Sequence, residues 1–171
     1  SDDGALGLSE TLAGRRILVE YSSPNTNKPL HLGHCRNIIL GSTVARLLTA
    51  AGGDVVRVNL VNDRGIHICK SMVAYQNFGG ETTPESVGLK SDHFIGHYYV
   101  LFDKAMNDEY AQYSQNLDEP LSKDDYFNSE LSALGVQARQ MLIDWESGDP
   151  GVRELWSKMN AWCEAGFDET Y

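Results

Sequence analysis

Two histidines in the stretch "HLGH", His31 and His34, have the residue type and spacing best suited to chemistry in this sequence. They are three residues apart, so at the start of a helix both imidazoles can point to one side of the first turn. Gly33 lies between them and removes a side chain that would keep a flat ligand from the backbone. Imidazole N–H groups beside a polyphosphate would stabilise charge that builds on phosphorus during displacement. Alternatively, His31 is a loop residue and His34 a capping or surface residue, and the motif alone leaves both interpretations open.

The residues around this motif predict a strand, a long loop and a helix that together position it. "RRILVEY", residues 15–21, is typical of a parallel strand covered on both faces. "SSPNTNKP" cannot be regular structure because Pro24 and Pro29 restrict the residues before them and lack an N–H. Apolar residues then recur with helical spacing over residues 32–51 and stop at a glycine pair, 52–53. The histidines therefore lie at a strand-to-helix junction, where helix N-termini favour anionic ligands.

The following segments repeat this order and predict an α/β fold. "DVVRVNLV", residues 54–61, predicts a second strand, and "IHICKSMVAYQNF", residues 66–78, predicts a second helix. "NDRG" between them predicts a turn that borders the same crevice, with Asp63 capping the next helix. The order strand–helix–strand–helix is typical of a right-handed parallel unit. We therefore expect residues 1–79 to form the first half of a Rossmann-like, parallel-sheet nucleotide-binding domain.

The back half of the sequence predicts a mainly helical insertion. A polar linker is expected over residues 80–95, followed by helices at roughly 96–117, 122–146 and 150–166, the last starting at "DP". The chain starts with serine rather than methionine, and it stops at "GFDETY" within an amphipathic helical pattern. We therefore expect a fragment of a longer protein, with residues 96–171 forming a truncated connective insertion.

Composition excludes several classes of protein. The 171 residues are 42% apolar, yet no apolar run reaches the roughly 18 residues of a membrane span. With no basic, apolar leader and only three cysteines, the sequence favours a reducing, cytoplasmic location. The net charge of -10 argues against a surface that grips DNA or RNA as a whole, and it leaves a local basic patch open.

A zinc site is another use of histidine and cysteine in this sequence. Cys35, His67 and Cys69 could join a histidine of the "HLGH" motif, but the tight pairs of a structural zinc site, such as C-x-x-C, are missing. His93 and His97 are four residues apart, and histidines at the edge of a linker are more often solvated than ligating. We expect no protein-bound metal.

"HLGH" after "VEYSSPNTNKP", followed by a helix and "VNLVNDRG", resembles the catalytic domain of arginyl-tRNA synthetase, a class I aminoacyl-tRNA synthetase. The H-x-G-H signature is shared with many nucleotidyltransferases, whereas "SSPN…KP" narrows the match to the arginine enzyme. The resemblance is strong over residues 17–79 and weaker over 120–171, where "LIDWESGDPGVRELWSKMNAW" is similar to the helical connective insertion. It implies a ligase that activates arginine with ATP, with Mg²⁺ accompanying the ATP, and transfers arginine to its tRNA.

The resemblance also implies roles for individual residues. The signature histidines match His31 and His34 as catalytic residues, and Gly33 would let the adenosine lie close. Lys28 is expected to replace the lysine of the usual second signature as a catalytic cation near the α-phosphate. The expected ATP site consists of Pro24, Asn25, Lys28, His31, Gly33 and His34.

The arginine site implied by the resemblance lies just before the signature, at Glu20, Ser23 and Asn25. A carboxylate at Glu20 suits one of the two cations of arginine, and the amide of Asn25 can both donate and accept. Arg64 stands where family members often carry an aromatic residue, so no direct ligand role is expected for it. Without the resemblance, Ser23 and Asn25 would be interpreted as turn-forming residues.

Two other functions stay open from the sequence. One is a small H-x-G-H nucleotidyltransferase, a class that is complete near this length, although "SSPNTNKP" and the long helical tail argue against it. The other is a non-catalytic nucleotide-binding fragment, against which the intact signature argues. "WSKMN", residues 156–160, has the composition of the second class I signature but the wrong order. We therefore expect the isolated chain to be inactive and to bind ATP or arginine weakly.

Overall fold

The computed structural model describes residues 7–170, which divide into two compact units. Unit 1 comprises the chain up to Asn25 together with Leu30–Asn62. Unit 2 comprises Thr26–Pro29 together with the chain from Asp63 onward. The predicted domain boundary at residue 79 stays a prediction. Within this chain, the predicted helix over residues 66–78 packs with the helices that follow residue 79.

Unit 1 is a strand–helix–strand motif that confirms the predicted α/β class. Its strands pair in parallel with Arg16 opposite Asp54 and Glu20 opposite Val58. The second strand ends three residues earlier than predicted, and pairing resumes as an isolated bridge between Asn25 and Asn62. The elements are β1 (Arg16–Glu20), α1 (Leu32–Ala50) and β2 (Asp54–Val58).

Two glycines fix how α1 packs and where it ends. Gly41 lies against Tyr21, directly after β1, and a Cβ at position 41 would collide with the Tyr21 side chain. Gly52 follows the helix with φ of 88°, a left-handed conformation that ends helices, as the sequence predicted. The helix therefore packs closely against the chain that leaves β1.

Unit 2 is a bundle whose core lies between α2, α4 and α7. Its largest buried side chains include Met72, Phe94 and Phe102. Tyr75, Phe94, Tyr98 and Trp162 form edge-to-face ring contacts with centroids 5.1–6.2 Å apart. The helices are α2 (Ile66–Phe78), α3 (Pro84–Val87), α4 (Ser91–Ser114), α5 (Lys123–Asn128), α6 (Ala133–Ser147) and α7 (Pro150–Asp168).

The helices of unit 2 match the sequence predictions unevenly. Helix α2 begins and ends as predicted, and Asp149 caps α7 by accepting from the Val152 N–H at 2.9 Å. The predicted linker instead contains α3, which a Thr83–Ser86 capping box starts, and the first turn of α4. The predicted helix over 122–146 is interrupted before α6. Its new start is fixed by Ser132, which accepts from Gly135, and by the carboxylate of Glu109, which accepts from the Ala133 and Leu134 N–H groups.

A buried ionic contact ties the end of α7 to the start of α4. The Lys90 ammonium donates to the carboxylate of Asp92, to the Gly166 carbonyl and to the Thr170 hydroxyl. Asp92 is only 1% exposed, so this ammonium neutralises a charge that water does not reach. Across residues 7–170, the helices are all too short or too polar to cross a membrane.

The net charge of the chain belongs to unit 2. Unit 1 carries five basic and five acidic residues, whereas unit 2 carries nine basic and nineteen acidic residues. The unit that holds the "HLGH" signature is therefore neutral overall, and the helical unit carries the whole excess of -10.

Candidate active site

The loop after β1 leaves the strand in a strained conformation. Ser22 and Ser23 have φ angles of 76° and 50°, a left-handed region that non-glycine residues rarely adopt. Each residue held there costs on the order of 1–2 kcal/mol relative to the right-handed conformation. Such strain persists only where surrounding contacts hold the residue in place, so Ser22 and Ser23 indicate that this loop is fixed by its neighbours.

Those contacts join the predicted arginine-binding residues of unit 1. The Ser23 hydroxyl donates to Oε1 of Glu20 at 3.2 Å, and the Ser23 N–H donates to Oδ1 of Asn59 at 2.9 Å. Oδ1 of Asn25 accepts from Nδ2 of Asn62 at 2.7 Å. The loop therefore holds Glu20, Ser23 and Asn25 through side chains that follow β2.

Pro24 fixes the same loop from the backbone. Its carbonyl accepts from the Asn62 N–H at 3.0 Å, and its ring is fully buried. The predicted contact of Pro24 with ATP stays a prediction, since the structure gives this residue a role in holding the loop.

His31 and His34 cap each other at the start of α1. His31 is the N-cap residue, and its Nδ1 accepts from the Gly33 N–H at 3.1 Å. Nδ1 of His34 in turn accepts from the His31 N–H at 3.1 Å. The two ring centroids are 4.0 Å apart, so the predicted placement on one side of the first turn is what the structure shows. This is a capping box built from two imidazoles.

The capping bonds determine which nitrogen of each ring carries the proton. A ring nitrogen that accepts a hydrogen bond holds no hydrogen, so in the neutral form each ring carries its N–H at Nε2. Three backbone donors of the first turn are used within α1, since the Gly33 N–H meets the His31 ring and the His34 and Cys35 N–H groups meet the His31 carbonyl. The two imidazoles are therefore side-chain donors that this helix start can offer to an anion.

Gly33 is required by the cap itself. A Cβ at this position would lie 2.8 Å from Cε1 and 3.0 Å from Nδ1 of the His31 ring. Atoms that are not bonded cannot approach so closely without displacement. The lack of a side chain at Gly33 therefore leaves room for the imidazole of His31, and also for any ligand that lies over the turn.

Lys28 belongs to unit 2, where its neighbours are polar and basic. It is half-buried, and its positive charge acts on His67 of α2. Burial, followed by the charges of Lys70 and Lys28, lowers the pKa of His67. His67 is therefore a neutral ring at pH 7, and its Nδ1 lies 3.3 Å from the hydroxyl of Tyr99.

The turn before α2 is held by two tryptophans rather than by its own aspartate. The prediction that Asp63 caps α2 is wrong, because Gly65 is the N-cap residue and has no side chain to accept. The Asp63 carbonyl instead accepts from Nε1 of Trp156 at 2.6 Å. Arg64 pairs with Glu146 and lies over the ring of Trp145, 5.6 Å from its centroid. Arg64 therefore has a structural contact within unit 2, and the expectation that it has no direct ligand role stays a prediction.

Comparisons with known proteins show the family of this chain. Residues 4–171 match the family described as "tRNA synthetases class I (R), catalytic domain". This chain belongs to that family. The arginine–tRNA ligase of Bacteroides fragilis is 54% identical over 155 residues, which are 91% of this chain and 25% of that protein. The corresponding ligase of Treponema denticola is 49% identical over 166 residues, 96% of this chain and 25% of that protein.

A solved structure supports the fold. Thermus thermophilus arginyl-tRNA synthetase superposes with a TM-score of 0.51 and 23% identity, covering 94% of this chain and 21% of that one. This chain spans about a quarter of the length of the curated relatives that it matches. The resemblance inferred from "HLGH" and "SSPN…KP" is thus confirmed at the level of the family.

Sequence reasoning missed the residues of this class I synthetase chain that hold the loop in place. Asn59 and Asn62 support Ser23 and Asn25, and Trp156 supports Asp63. The signal for Asn62 was its position directly after the predicted second strand, where side chains border a crevice, whereas Asn59 lies within that predicted strand. Within the described part of the chain, no group of three or more histidine, cysteine or acidic side chains could hold a metal ion.

Proposed function

We propose that this chain is the segment of an arginine–tRNA ligase that supplies half of the active site. The ligase activates arginine with ATP, with Mg²⁺ accompanying the ATP, and transfers the arginine to its tRNA in the cytoplasm. The observation that carries the proposal is the mutual capping of His31 and His34, which leaves the N–H of each ring at Nε2. Membership of the class I family for arginine supports the substrate.

The histidines and Lys28 act on the phosphates of ATP. In the activation step a carboxylate oxygen of arginine attacks the α-phosphorus, the bond to pyrophosphate breaks, and negative charge builds on the phosphoryl oxygens. The Nε2–H groups of His31 and His34 donate to those oxygens, and the Lys28 ammonium adds a positive charge. Gly33 keeps the surface beside the rings open to adenosine. Mg²⁺ arrives on the ATP phosphates and needs no dedicated protein cage.

Glu20, Ser23 and Asn25 bind the arginine. Glu20 is exposed, and the Ser23 hydroxyl orients its carboxylate toward a cationic group of the substrate. Because Oδ1 of Asn25 accepts from Asn62, its NH₂ group is the side that donates to a substrate oxygen. Pro24 and Asn25 border the ATP through the same loop.

The distribution of charge indicates which surfaces are suited to contact tRNA. Unit 2 carries the whole net charge of -10, so most of its surface repels a polyanion. We propose that tRNA contacts surfaces other than that of unit 2, and that the protein binds neither DNA nor membranes.

Two variants that preserve the cap test the proposal. Asparagine is a good N-cap residue and glutamine completes a capping box at the third helical position, so His31→Asn and His34→Gln keep α1 capped. In the full-length ligase each should lower the rate of arginine-dependent ATP–pyrophosphate exchange by roughly 10²- to 10³-fold, the effect of losing one donor to a developing charge. Retained exchange in both variants would mean that the histidines serve only as caps.

Two further measurements separate the alternatives. Exchange that requires arginine and tRNA supports the ligase, whereas exchange with a pantetheine- or choline-type substrate would identify a small nucleotidyltransferase. Lys28→Ala should lower the exchange rate, and an unchanged rate would remove Lys28 from the site. The isolated chain should bind ATP and arginine weakly, so micromolar binding of either by calorimetry would contradict the half-site.

A further inference from the structure

The segment Thr26–Pro29 packs with unit 2, although it lies in the loop that joins β1 to α1 of unit 1. One of its residues is hydrogen-bonded to a helix of that unit. Nδ2 of Asn27 donates to the carbonyl of His67 in α2 at 3.4 Å. The helical unit therefore holds the backbone on which Lys28 sits.

A second helix contacts this segment through a glycine. Gly96 is buried in the interior of α4, where glycine is among the least favourable residues. A Cβ at this position would lie 2.7 Å from Cδ of Pro29 and 3.7 Å from Cα of Lys28. Because non-bonded carbon atoms pack at about 3.5–4.0 Å, an alanine would displace the segment by about 1 Å. The close approach explains why glycine stands in the middle of this helix.

These contacts leave the Lys28 backbone little freedom. The residue before a proline is restricted to extended conformations, so Pro29 already limits Lys28. Thr26 and Asn27 are each only 2% exposed, whereas Lys28 itself is half-buried. The backbone is thus fixed while the long side chain still reaches the surface.

We propose that Gly96 is a positioning residue that holds Lys28 for its work on the phosphates of ATP. Gly96 does so by admitting the Pro29 ring against α4. The inference rests on the proposed function of Lys28, but it assigns the placement of that lysine to helices of unit 2.

The test uses Gly96→Ala in the full-length ligase, with two readouts. Hydrogen–deuterium exchange reports the Lys28 amide directly, and we expect it to speed up by about 10-fold or more as the segment loosens. ATP–pyrophosphate exchange should show kcat lowered by roughly 10- to 100-fold, the order expected for a 1 Å misplacement. The KM for arginine should stay within about 3-fold, because the residues proposed to bind arginine belong to unit 1. Gly151→Ala is the matched control, since a Cβ there meets only Oδ1 of Asp149 at 3.4 Å.

A double-mutant cycle shows whether Gly96 acts through Lys28. In a Lys28→Ala background, Gly96→Ala should cause no further loss of kcat. An equal loss in both backgrounds, or an unchanged amide exchange rate in Gly96→Ala, would overturn the inference. If Lys28→Ala alone keeps the normal rate, the proposed role of Lys28 fails, while amide exchange still decides whether Gly96 holds it.

Asn27 supplies a second variant if Gly96→Ala does not fold. Asn27→Ala inserts no atom and removes the donor to the His67 carbonyl, so we expect faster exchange of the Lys28 amide and a lower kcat. Equal amide exchange in Asn27→Ala and the wild type would overturn the inference that unit 2 holds Lys28.

Discussion

Replacing Gly33 by alanine should remove the His31 cap of α1 and, at the same position, raise the helix propensity. The new Cβ would lie 2.8 Å from Cε1 of His31, about 1 Å inside ordinary contact, so the ring must leave the Gly33 N–H. Losing that hydrogen bond costs about 1 kcal/mol. Alanine in place of glycine contributes up to about 1 kcal/mol in a helix. The two terms nearly cancel, and we expect the free energy of unfolding to change by less than about 0.5 kcal/mol.

Gly151 provides the matched comparison for this change. It occupies the second position of α7, as Gly33 does in α1, and a Cβ there makes only an ordinary contact with Asp149. Gly151→Ala should therefore keep its cap and gain up to about 1 kcal/mol. Urea unfolding of the 171-residue chain, followed by circular dichroism, measures both variants.

The same two variants should also differ in activity. In the full-length ligase, Gly33→Ala should lower ATP–pyrophosphate exchange by about 10-fold or more, since the His31 imidazole no longer holds its place. Gly151→Ala should leave the rate unchanged. If Gly33→Ala instead stabilises the chain as much as Gly151→Ala and keeps its activity, the His31 ring does not occupy the cap, and the reasoning about its tautomer fails.

Three further predictions concern Trp156, Lys90 and Cys163 of unit 2, and each is measured by urea unfolding of the chain. Trp156→Phe should cost about 1–3 kcal/mol because the Asp63 carbonyl loses its donor, whereas Trp145→Phe should cost less because the buried Trp145 N–H has no partner among the described residues. Lys90→Met should cost about 3–5 kcal/mol by leaving a buried carboxylate unpaired, while loss of the exposed Arg16–Asp54 pair should stay within about 1 kcal/mol. Burial raises the pKa of Cys163 from 9.0 to about 12, so the folded chain favours the thiol and its stability should fall as pH rises above 9. Cys163→Ala should flatten that fall by at most about 1.4 kcal/mol per pH unit.

The sequence was sufficient wherever local signals decided the structure. The apolar run after Arg15, the glycine pair that ends α1 and the "DP" that starts α7 each depend on neighbouring residues alone, and the structure shows each element. The expectation that β1 is covered on both faces is wrong for this chain, because Leu18 at its centre is 65% exposed. The start of α4 and the break before α6 were missed because distant residues decide them. Lys90 reaches the end of α7, and Glu109 caps α6 from another helix.

The candidate site shows the same limit more sharply. Its residue types and positions could be read from "HLGH" and "SSPN…KP", but the reciprocal cap could not, because histidine is not among the usual N-cap residues. The left-handed Ser22 and Ser23 were equally hidden, since serine gives no signal for positive φ. Asn59 holds Ser23 and Asn62 holds Asn25, and both asparagines lie more than thirty residues away in the sequence.

The loop between β1 and α1 therefore has two separate supports. Its first part, with Glu20, Ser23 and Asn25, is held by residues that follow β2, and the proposed phosphate lysine is held by helices of unit 2. Lys28 and His31 are three residues apart in the chain, yet they are assigned to different units. A change in α2 or α4 can thus alter Lys28 without touching the histidines. If Lys28 acts on the phosphates as we propose, unit 2 contributes to catalysis through the backbone of one lysine, a role that its net negative charge does not suggest.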